Sequence, residues 1–115
     1  MSLATLIARL MGSASVPAIE HEQLQASCRA GDCHVIDVRE PNEYRAGHIP
    51  SALNYPLSSF DPAKLPTDKP VVLVCQAGSR SARALQAAID HGCKHVAHYP
   101  HGTGGWRERG GPIAM

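Results

Sequence analysis

The sequence predicts an α/β fold in which a small open parallel sheet carries helices on both faces. Val71-Val72-Leu73-Val74 is a continuous, mostly β-branched apolar run, which is typical of a strand buried on both faces inside a parallel sheet. Strand-like and helix-like segments also alternate along the chain, as they do where helical crossovers join parallel strands. With 115 residues, the chain is long enough for one core and too short for two.

The first predicted element is an amphipathic helix. Its apolar residues recur at helical spacing and share one face: Leu3, Leu6, Ile7, Leu10 and Met11. Ser13-Ala14-Ser15 follows as a short linker, so we expect residues 1–15 to be an appendage and residues 16–115 to form the domain. The apolar face packs on the chain's own surface, docks a partner, or joins two copies through Met1–Met11 as a homodimer.

The first half of the domain is expected to alternate between strands and helices. The expected elements are a short strand at Ala18-Ile19, a helix over Glu22–Ala30, a strand over Cys33–Val38, a helix over Pro41–Arg45 and a strand near Leu53–Tyr55. Pro41 suits the first turn of a helix because its missing N–H has no partner there in any case.

The second half is organised around the buried run Val71–Val74. The preceding segment, Pro56–Pro70, contains four prolines and predicts a loop with at most one helical turn. A helix with an apolar face at Leu85, Ala88 and Ile89 follows the buried strand, and Gly92 ends it. A last strand is expected around His95–Tyr99.

Composition argues against nucleic acid and membranes as partners. The formal net charge is +1, and the aromatic residues are one Trp, three Tyr and one Phe, so the chain has no basic surface with interleaved aromatics. No run approaches the roughly 18 apolar residues of a membrane span. The apolar start carries Arg9 in its middle and lacks a basic beginning, which makes it a poor secretory signal. We therefore expect a soluble, cytoplasmic protein with reduced cysteines.

The segment Cys75–Arg80 is the candidate site. It connects the buried strand to a predicted helix, and such a turn directs backbone N–H groups and the positive end of the helix dipole at whatever the loop encloses. The reactive form of cysteine is the thiolate, and its pKa falls by about one to five units near helix N-termini or cationic groups. The sequence therefore predicts an anion site with a nucleophilic thiol at its floor.

Three motifs in this order resemble the single-domain rhodanese, or sulfurtransferase, family: Val35–Tyr44, Gly47–Ala52 and Cys75–Ser81, followed by Trp106 and Gly111-Pro112. The resemblance implies the rhodanese-like α/β fold and a Cys75 persulfide. It also implies a cradle of loop residues that binds substrate: Gln76, Ala77, Gly78, Ser79 and Arg80. It requires neither a metal nor an organic cofactor.

Other candidate residues surround this loop. Asp37, Arg39 and Glu43 are expected to support the loop through ion pairs and hydrogen bonds rather than to move protons, and His48 is expected to do the same. His101 replaces the first of two glycines that many relatives have before the tryptophan, and a histidine there could contact an anionic substrate.

Two basic residues one helical turn apart follow the cysteine. Arg80 either binds the substrate anion or pairs with a carboxylate such as Asp37 or Glu43. Arg83 is expected to be structural or to lie on the surface.

The remaining thiols and histidines are expected to be structural. Side chains alternate along a strand, so His95 and His98 should lie on opposite faces, and no metal site is expected with Cys93 and His101. Cys28 and Cys33 are expected to pack in the core. Cys93 is the candidate for a second thiol that resolves a Cys75 persulfide.

The leading functional hypothesis is a thiosulfate-type sulfurtransferase with cyanide or a thiol as acceptor. A persulfide carrier that delivers sulfur to a protein partner, with Met1–Met11 as docking surface, is the alternative. A cysteine phosphatase or arsenate reductase is disfavoured because only four residues separate Cys75 from Arg80, one fewer than in phosphatase loops, and the tighter ring suits a single sulfur atom.

Overall fold

The computed structural model describes residues 2–11 and 16–115. Five α-helices occur in the described residues: α1 (Leu3–Met11), α2 (His21–Ala30), α3 (Pro41–Arg45), α4 (Ser79–Asp90) and α5 (Gly102–Glu108). Four strands accompany them: β1 (His34–Asp37), β2 (Leu53–Asn54), β3 (Val71–Val74) and β4 (Val96–His98). The predicted linker Ser13–Ser15 lies outside the described residues.

The strands form one open parallel sheet in the order β2-β1-β3-β4. β3 lies in the interior of the sheet, and Val74 at its end is in register with Asp37 at the end of β1. His98 of β4 is in register with Leu73. The carboxyl ends of three strands therefore meet at one edge, where parallel α/β sheets bind their ligands.

Helices cover both faces of the sheet, as predicted. Side chains alternate along β3, so Val72 and Val74 join one buried cluster while Val71, Leu73 and Cys75 join the other. The first cluster also receives residues from α1, α2 and α5: Leu3, Ile7, Leu24 and Trp106. The second receives residues of α4: Ala84, Leu85 and Ala88.

The N-terminal helix packs on the domain that follows it. Leu3 and Ile7 of α1 are buried in the first cluster, and Ile7 has no exposed surface. The apolar stripe of α1 therefore packs on the chain's own surface, which is the first of the three interpretations given above. None of the helices within residues 2–11 and 16–115 has the length and apolarity that a membrane span requires.

Two local expectations require correction. Ala18-Ile19 contributes a single parallel bridge, between Ala18 and His98, rather than a full strand. The Pro56–Pro70 loop contains two short 3-10 turns, Leu57–Ser59 and Pro62–Lys64, instead of one.

Helix α5 was not predicted at all. Its first four residues are Gly102-Thr103-Gly104-Gly105, and glycine is among the poorest helix formers.

Candidate active site

Cys75 lies where β3 ends and the chain turns into α4. The residue is 1% exposed, and Gly78 precedes the first residue of α4 with a positive φ of 104°. This turn directs the Gly78 N–H at the Cys75 Sγ atom, 3.1 Å away. Because α4 begins at Ser79, Ser79 and Arg80 belong to the first helical turn and not to the loop.

The surroundings of the thiol favour its ionised form. Burial raises the pKa of Cys75, but hydrogen bonds from the Ser81 N–H and hydroxyl and from the Ala77 and Gly78 N–H groups lower it, and the net pKa is below the ordinary value of 9.0. Backbone N–H groups supply most of this stabilisation. The side chains of Gln76, Ala77 and Ser79 are neutral, and all three residues are exposed.

Ser81 is the side chain that touches the thiol. Its Oγ atom lies 3.6 Å from Cys75 Sγ and 3.2 Å from the Gly78 carbonyl oxygen. The same Oγ lies 2.9 Å from Nδ1 of His98, at the end of β4. Burial lowers the pKa of His98. Sequence reasoning assigned no site role to either residue, because the parallel register that brings β4 beside α4 leaves no signal in the sequence.

The N-terminus of α5 holds the loop from its other side. The Thr103 N–H donates to the Cys75 carbonyl oxygen at 2.8 Å, and the Gly104 N–H donates to the Gln76 carbonyl oxygen at 3.1 Å. Gly102 makes this approach possible, since a Cβ atom there would overlap the Gln76 carbonyl group. These contacts fix the backbone on both sides of the Cys75–Gln76 peptide bond.

A buried ion pair supports the same edge from β1. Arg39 Nη2 lies 2.8 Å from Asp37 Oδ2, and the two side chains are 5% and 0% exposed. Arg39 also donates to the Gly47 carbonyl oxygen at 2.8 Å and reaches Gln76 Oε1 at 3.5 Å. Arg39 thus contacts the loop through Gln76, and Asp37 holds Arg39 in place.

Arg80 is held by a carboxylate. Its Nη1 and Nη2 atoms donate to Oε1 and Oε2 of Glu43 at 2.7 and 2.9 Å. The hydrogen bonds from Arg80 lower the pKa of Glu43 to about 2, and Glu43 in turn raises the pKa of Arg80. Of the two carboxylates considered for Arg80, Glu43 is its partner, while Asp37 pairs with Arg39. Binding of a substrate anion by Arg80 stays a prediction.

The contacts of His48 and His101 are to protein groups. His48 Nδ1 lies 2.9 Å from the Tyr44 carbonyl oxygen, and its ring stacks on Tyr44 with a centroid distance of 3.8 Å. His101 lies with Nε2 3.7 Å from Glu20 Oε2 and its ring edge-on to Tyr99. An encounter between His101 and a substrate anion therefore stays a prediction.

Cys93 lies beyond the far end of α4 from Cys75. The 12 residues of α4 span about 18 Å, whereas a disulfide requires Cα atoms within about 7 Å. The Cys93 thiol contacts the Pro62 carbonyl oxygen at 3.7 Å, and burial raises its pKa. It cannot resolve a Cys75 persulfide within one chain in this conformation, and that interpretation is wrong for the monomer.

Cys28 and Cys33 form a pair of thiols packed against the first core cluster. The interaction between the Cys28 and Cys33 thiols lowers the pKa of Cys28 and raises that of Cys33. In the part of the chain that the structure describes, no three His, Cys, Asp or Glu side chains are arranged to hold a metal ion.

The fold and this site define a class of protein: a parallel α/β domain whose interior strand delivers a cysteine into a cradle of backbone N–H groups. The chain belongs to the rhodanese family, because the sequence model of the rhodanese-like domain matches residues 20–109. The family and fold implied by the sequence motifs are thereby confirmed.

Proteins of similar sequence or structure carry different descriptions. The uncharacterized protein YqhL of Bacillus subtilis is 41% identical over 97 residues, which cover 83% of this chain and 73% of that protein. Thiosulfate:glutathione sulfurtransferase of Saccharomyces cerevisiae is 32% identical, over 67% of this chain and 66% of that protein. A solved structure from Rhodopseudomonas palustris, described as a protein of unknown function and possible tyrosine phosphatase, is 30% identical with a TM-score of 0.76, over 99% of this chain and 95% of its own.

Proposed function

We propose that this protein transfers a sulfane sulfur through a persulfide on Cys75. The observation that carries the proposal is the hydrogen-bonded thiol itself: the Gly78 N–H lies 3.1 Å from Cys75 Sγ, and hydrogen bonds from the surrounding groups outweigh burial to lower the pKa of Cys75. A thiol in this setting is a better nucleophile at neutral pH than a free cysteine. The yeast relative, named for transfer from thiosulfate to glutathione, supports these classes of donor and acceptor.

The reaction consists of two displacements at sulfur. The Cys75 thiolate attacks the outer sulfur of thiosulfate or a similar donor, the donor S–S bond breaks, and its electron pair leaves with sulfite. A thiolate or cyanide acceptor then attacks the outer sulfur of the Cys75 persulfide. The second S–S bond breaks and its electron pair returns to Cys75. The Ala77 and Gly78 N–H groups can stabilise the negative charge at both stages.

Phosphatase chemistry is the competing proposal, since the Rhodopseudomonas palustris protein is described in those words. Two features argue against it here. Four residues separate Cys75 from Arg80, which gives a tight ring. Arg80 donates two of its five N–H groups to Glu43, so its position is set and its charge is balanced by a carboxylate rather than by a phosphoryl group. A small aryl phosphate should not be hydrolysed in a Cys75-dependent way.

A carrier that passes its persulfide to a protein remains the second sulfur-based alternative. Leu3 and Ile7 of the suggested docking surface, Met1–Met11, are buried in the chain's own core, which argues against docking through the apolar face of α1. The same packing argues against a homodimer through the apolar face of α1.

The test is intact-mass analysis after incubation with thiosulfate. We expect a gain of one sulfur atom in the wild-type chain, its loss on adding cyanide or glutathione, and no gain in Cys75→Ser. Cys93→Ser is the matched control, since Cys93 lies beyond the far end of α4, and it should load like the wild type. Loading that survives Cys75→Ser, or cyanide turnover without any sulfur-bearing intermediate, would contradict the proposal.

A further inference from the structure

The Ser81 hydroxyl has more possible partners than it has protons. Cys75 Sγ, the Gly78 carbonyl oxygen and His98 Nδ1 surround its Oγ atom at 3.6, 3.2 and 2.9 Å. Cys75, Ser81 and His98 are 1%, 0% and 7% exposed, so bulk water has little access to this group. A hydroxyl donates one hydrogen bond and accepts two. Neighbouring protein groups, rather than bulk water, therefore determine which partner accepts the hydrogen bond from the Ser81 hydroxyl.

Whether His98 carries a proton on Nδ1 determines which partner accepts the hydrogen bond from Ser81. If Nδ1 is unprotonated, it is an acceptor at the shortest distance from Ser81 and competes with the thiolate for the hydroxyl proton. If Nδ1 carries a proton, it donates to Ser81 Oγ and leaves the hydroxyl proton free. The charged thiolate is then a stronger acceptor than the neutral Gly78 carbonyl.

We propose that His98 is a positioning residue for sulfur transfer: with its proton on Nδ1, it directs the Ser81 hydroxyl to Cys75 Sγ. This inference rests on the proposed function for its biological meaning. Cys75 is the nucleophile in the first displacement and the leaving group in the second, and negative charge is on Sγ each time. A donated hydrogen bond from Ser81 stabilises the sulfur at both points.

His98 hydrogen-bonds to Ser81 through its side chain and to a neighbouring segment of the chain through its backbone. The His98 side chain hydrogen-bonds to Ser81 of α4, and Ser81 in turn reaches Cys75 of the loop. On the edge of β4, the His98 N–H donates to the Pro17 carbonyl oxygen at 3.1 Å, and the His98 carbonyl accepts from Ile19 at 2.9 Å. Burial lowers the pKa of His98, which favours the neutral imidazole, and the position of its single ring proton then determines how it bonds Ser81.

The test is the pH profile of Cys75 alkylation by iodoacetamide, followed at the Cys75 peptide by mass spectrometry. Ser81→Ala should move the profile to higher pH and slow alkylation at pH 7 about five- to tenfold. His98→Leu should move it in the same direction by a smaller factor, because the Ser81 hydroxyl remains but loses the Nδ1–H donor that orients and polarises it. His98→Asn should restore a near wild-type profile, because the asparagine Nδ2 donor occupies the place of Nδ1. The double variant should be no slower than Ser81→Ala alone, because His98 acts through Ser81.

Three results would overturn the inference: an unchanged profile in His98→Leu, equal slowing in His98→Asn and His98→Leu, or additive slowing in the double variant. Urea unfolding of each variant separates a loss of folded protein from a change in thiol reactivity. Alkylation needs no sulfur donor, so it is independent of the sulfur-transfer proposal. If thiosulfate fails to load Cys75 while the alkylation series behaves as expected, the proposed function fails and the role of His98 stands.

Discussion

Replacing Gly102 with alanine is expected to release the clamp that α5 places on the Cys75 loop. Gly102 has a positive φ of 68°, a conformation that side chains other than glycine rarely adopt. A Cβ atom there would overlap the Gln76 carbonyl group and lie 2.7 Å from the Cys75 carbonyl oxygen. All of these atoms belong to the backbone, so no rotation of a side chain relieves the overlap. The first turn of α5 must move away instead.

The size of the effect follows from the contacts that this movement weakens. The Thr103 and Gly104 N–H groups bond the Cys75 and Gln76 carbonyls at 2.8 and 3.1 Å, and each such bond contributes about 1 kcal/mol. Holding alanine in the left-handed region costs about 1 kcal/mol more. The free energy of unfolding should therefore fall by about 3 kcal/mol, a large share of the roughly 5–15 kcal/mol of an ordinary domain.

Urea unfolding of Gly102→Ala beside Gly110→Ala measures this difference. Gly110 also has a positive φ, of 78°, but a Cβ there would meet nothing within 4 Å. The control should therefore lose only the left-handed strain, about 1 kcal/mol. Cys75 alkylation at pH 7 should change in Gly102→Ala and not in the control. If the two variants are equally destabilised and alkylate alike, α5 does not hold the loop.

Three further substitutions probe the supports of the fold and the site. Asp37→Asn leaves Arg39 as an uncompensated buried charge, and we expect a loss of about 3–5 kcal/mol in urea unfolding; a loss below about 1 kcal/mol would mean that water reaches the pair. Ile7→Ala should cost about 2–5 kcal/mol because Ile7 is fully buried, and no change would show that α1 does not pack on the domain. Glu43 has a pKa of about 2 against its ordinary 4.5, so its pairing with Arg80 stabilises the fold above pH 4.5 and is lost as the pH falls toward 2. The unfolding free energy of Glu43→Gln should therefore depend less on pH in that window, and an unchanged dependence would contradict the pairing.

The parts of the fold that could be predicted are those that local patterns determine. The continuous apolar run of β3 and the apolar stripe of α1 are both patterns of neighbouring residues, and both elements lie where the sequence placed them. Helix α5 could not be predicted because its own residues oppose it. Tertiary contacts stabilise it: Trp106 is 1% exposed, and its Nε1 donates to the Pro112 carbonyl oxygen at 2.7 Å.

The candidate site likewise has a part that local sequence predicts and a part that depends on tertiary contacts. A strand, a short glycine-containing loop and a helix are consecutive in the chain, so their sequence was enough to predict a thiol among backbone N–H groups. The partners of the site come from distant segments: Glu43 is 37 residues from Arg80, and His98 is 17 residues from Ser81. The sequence offered two carboxylates for Arg80 without distinguishing them, because the choice depends on where α3 packs.

The groups of the loop that stabilise the sulfur differ from the side chains that the loop exposes. The groups that stabilise the sulfur are the Ala77 and Gly78 N–H groups and the buried Ser81, whereas the side chains of Gln76, Ala77 and Ser79 are exposed at the rim. A backbone N–H is retained in every substitution except proline, so exchanging a rim side chain leaves the charge stabilisation in place. Changes at Gln76, Ala77 and Ser79 should therefore alter which donor or acceptor is preferred. The pKa of the thiol should respond instead to changes that move the backbone or remove the Ser81 hydroxyl.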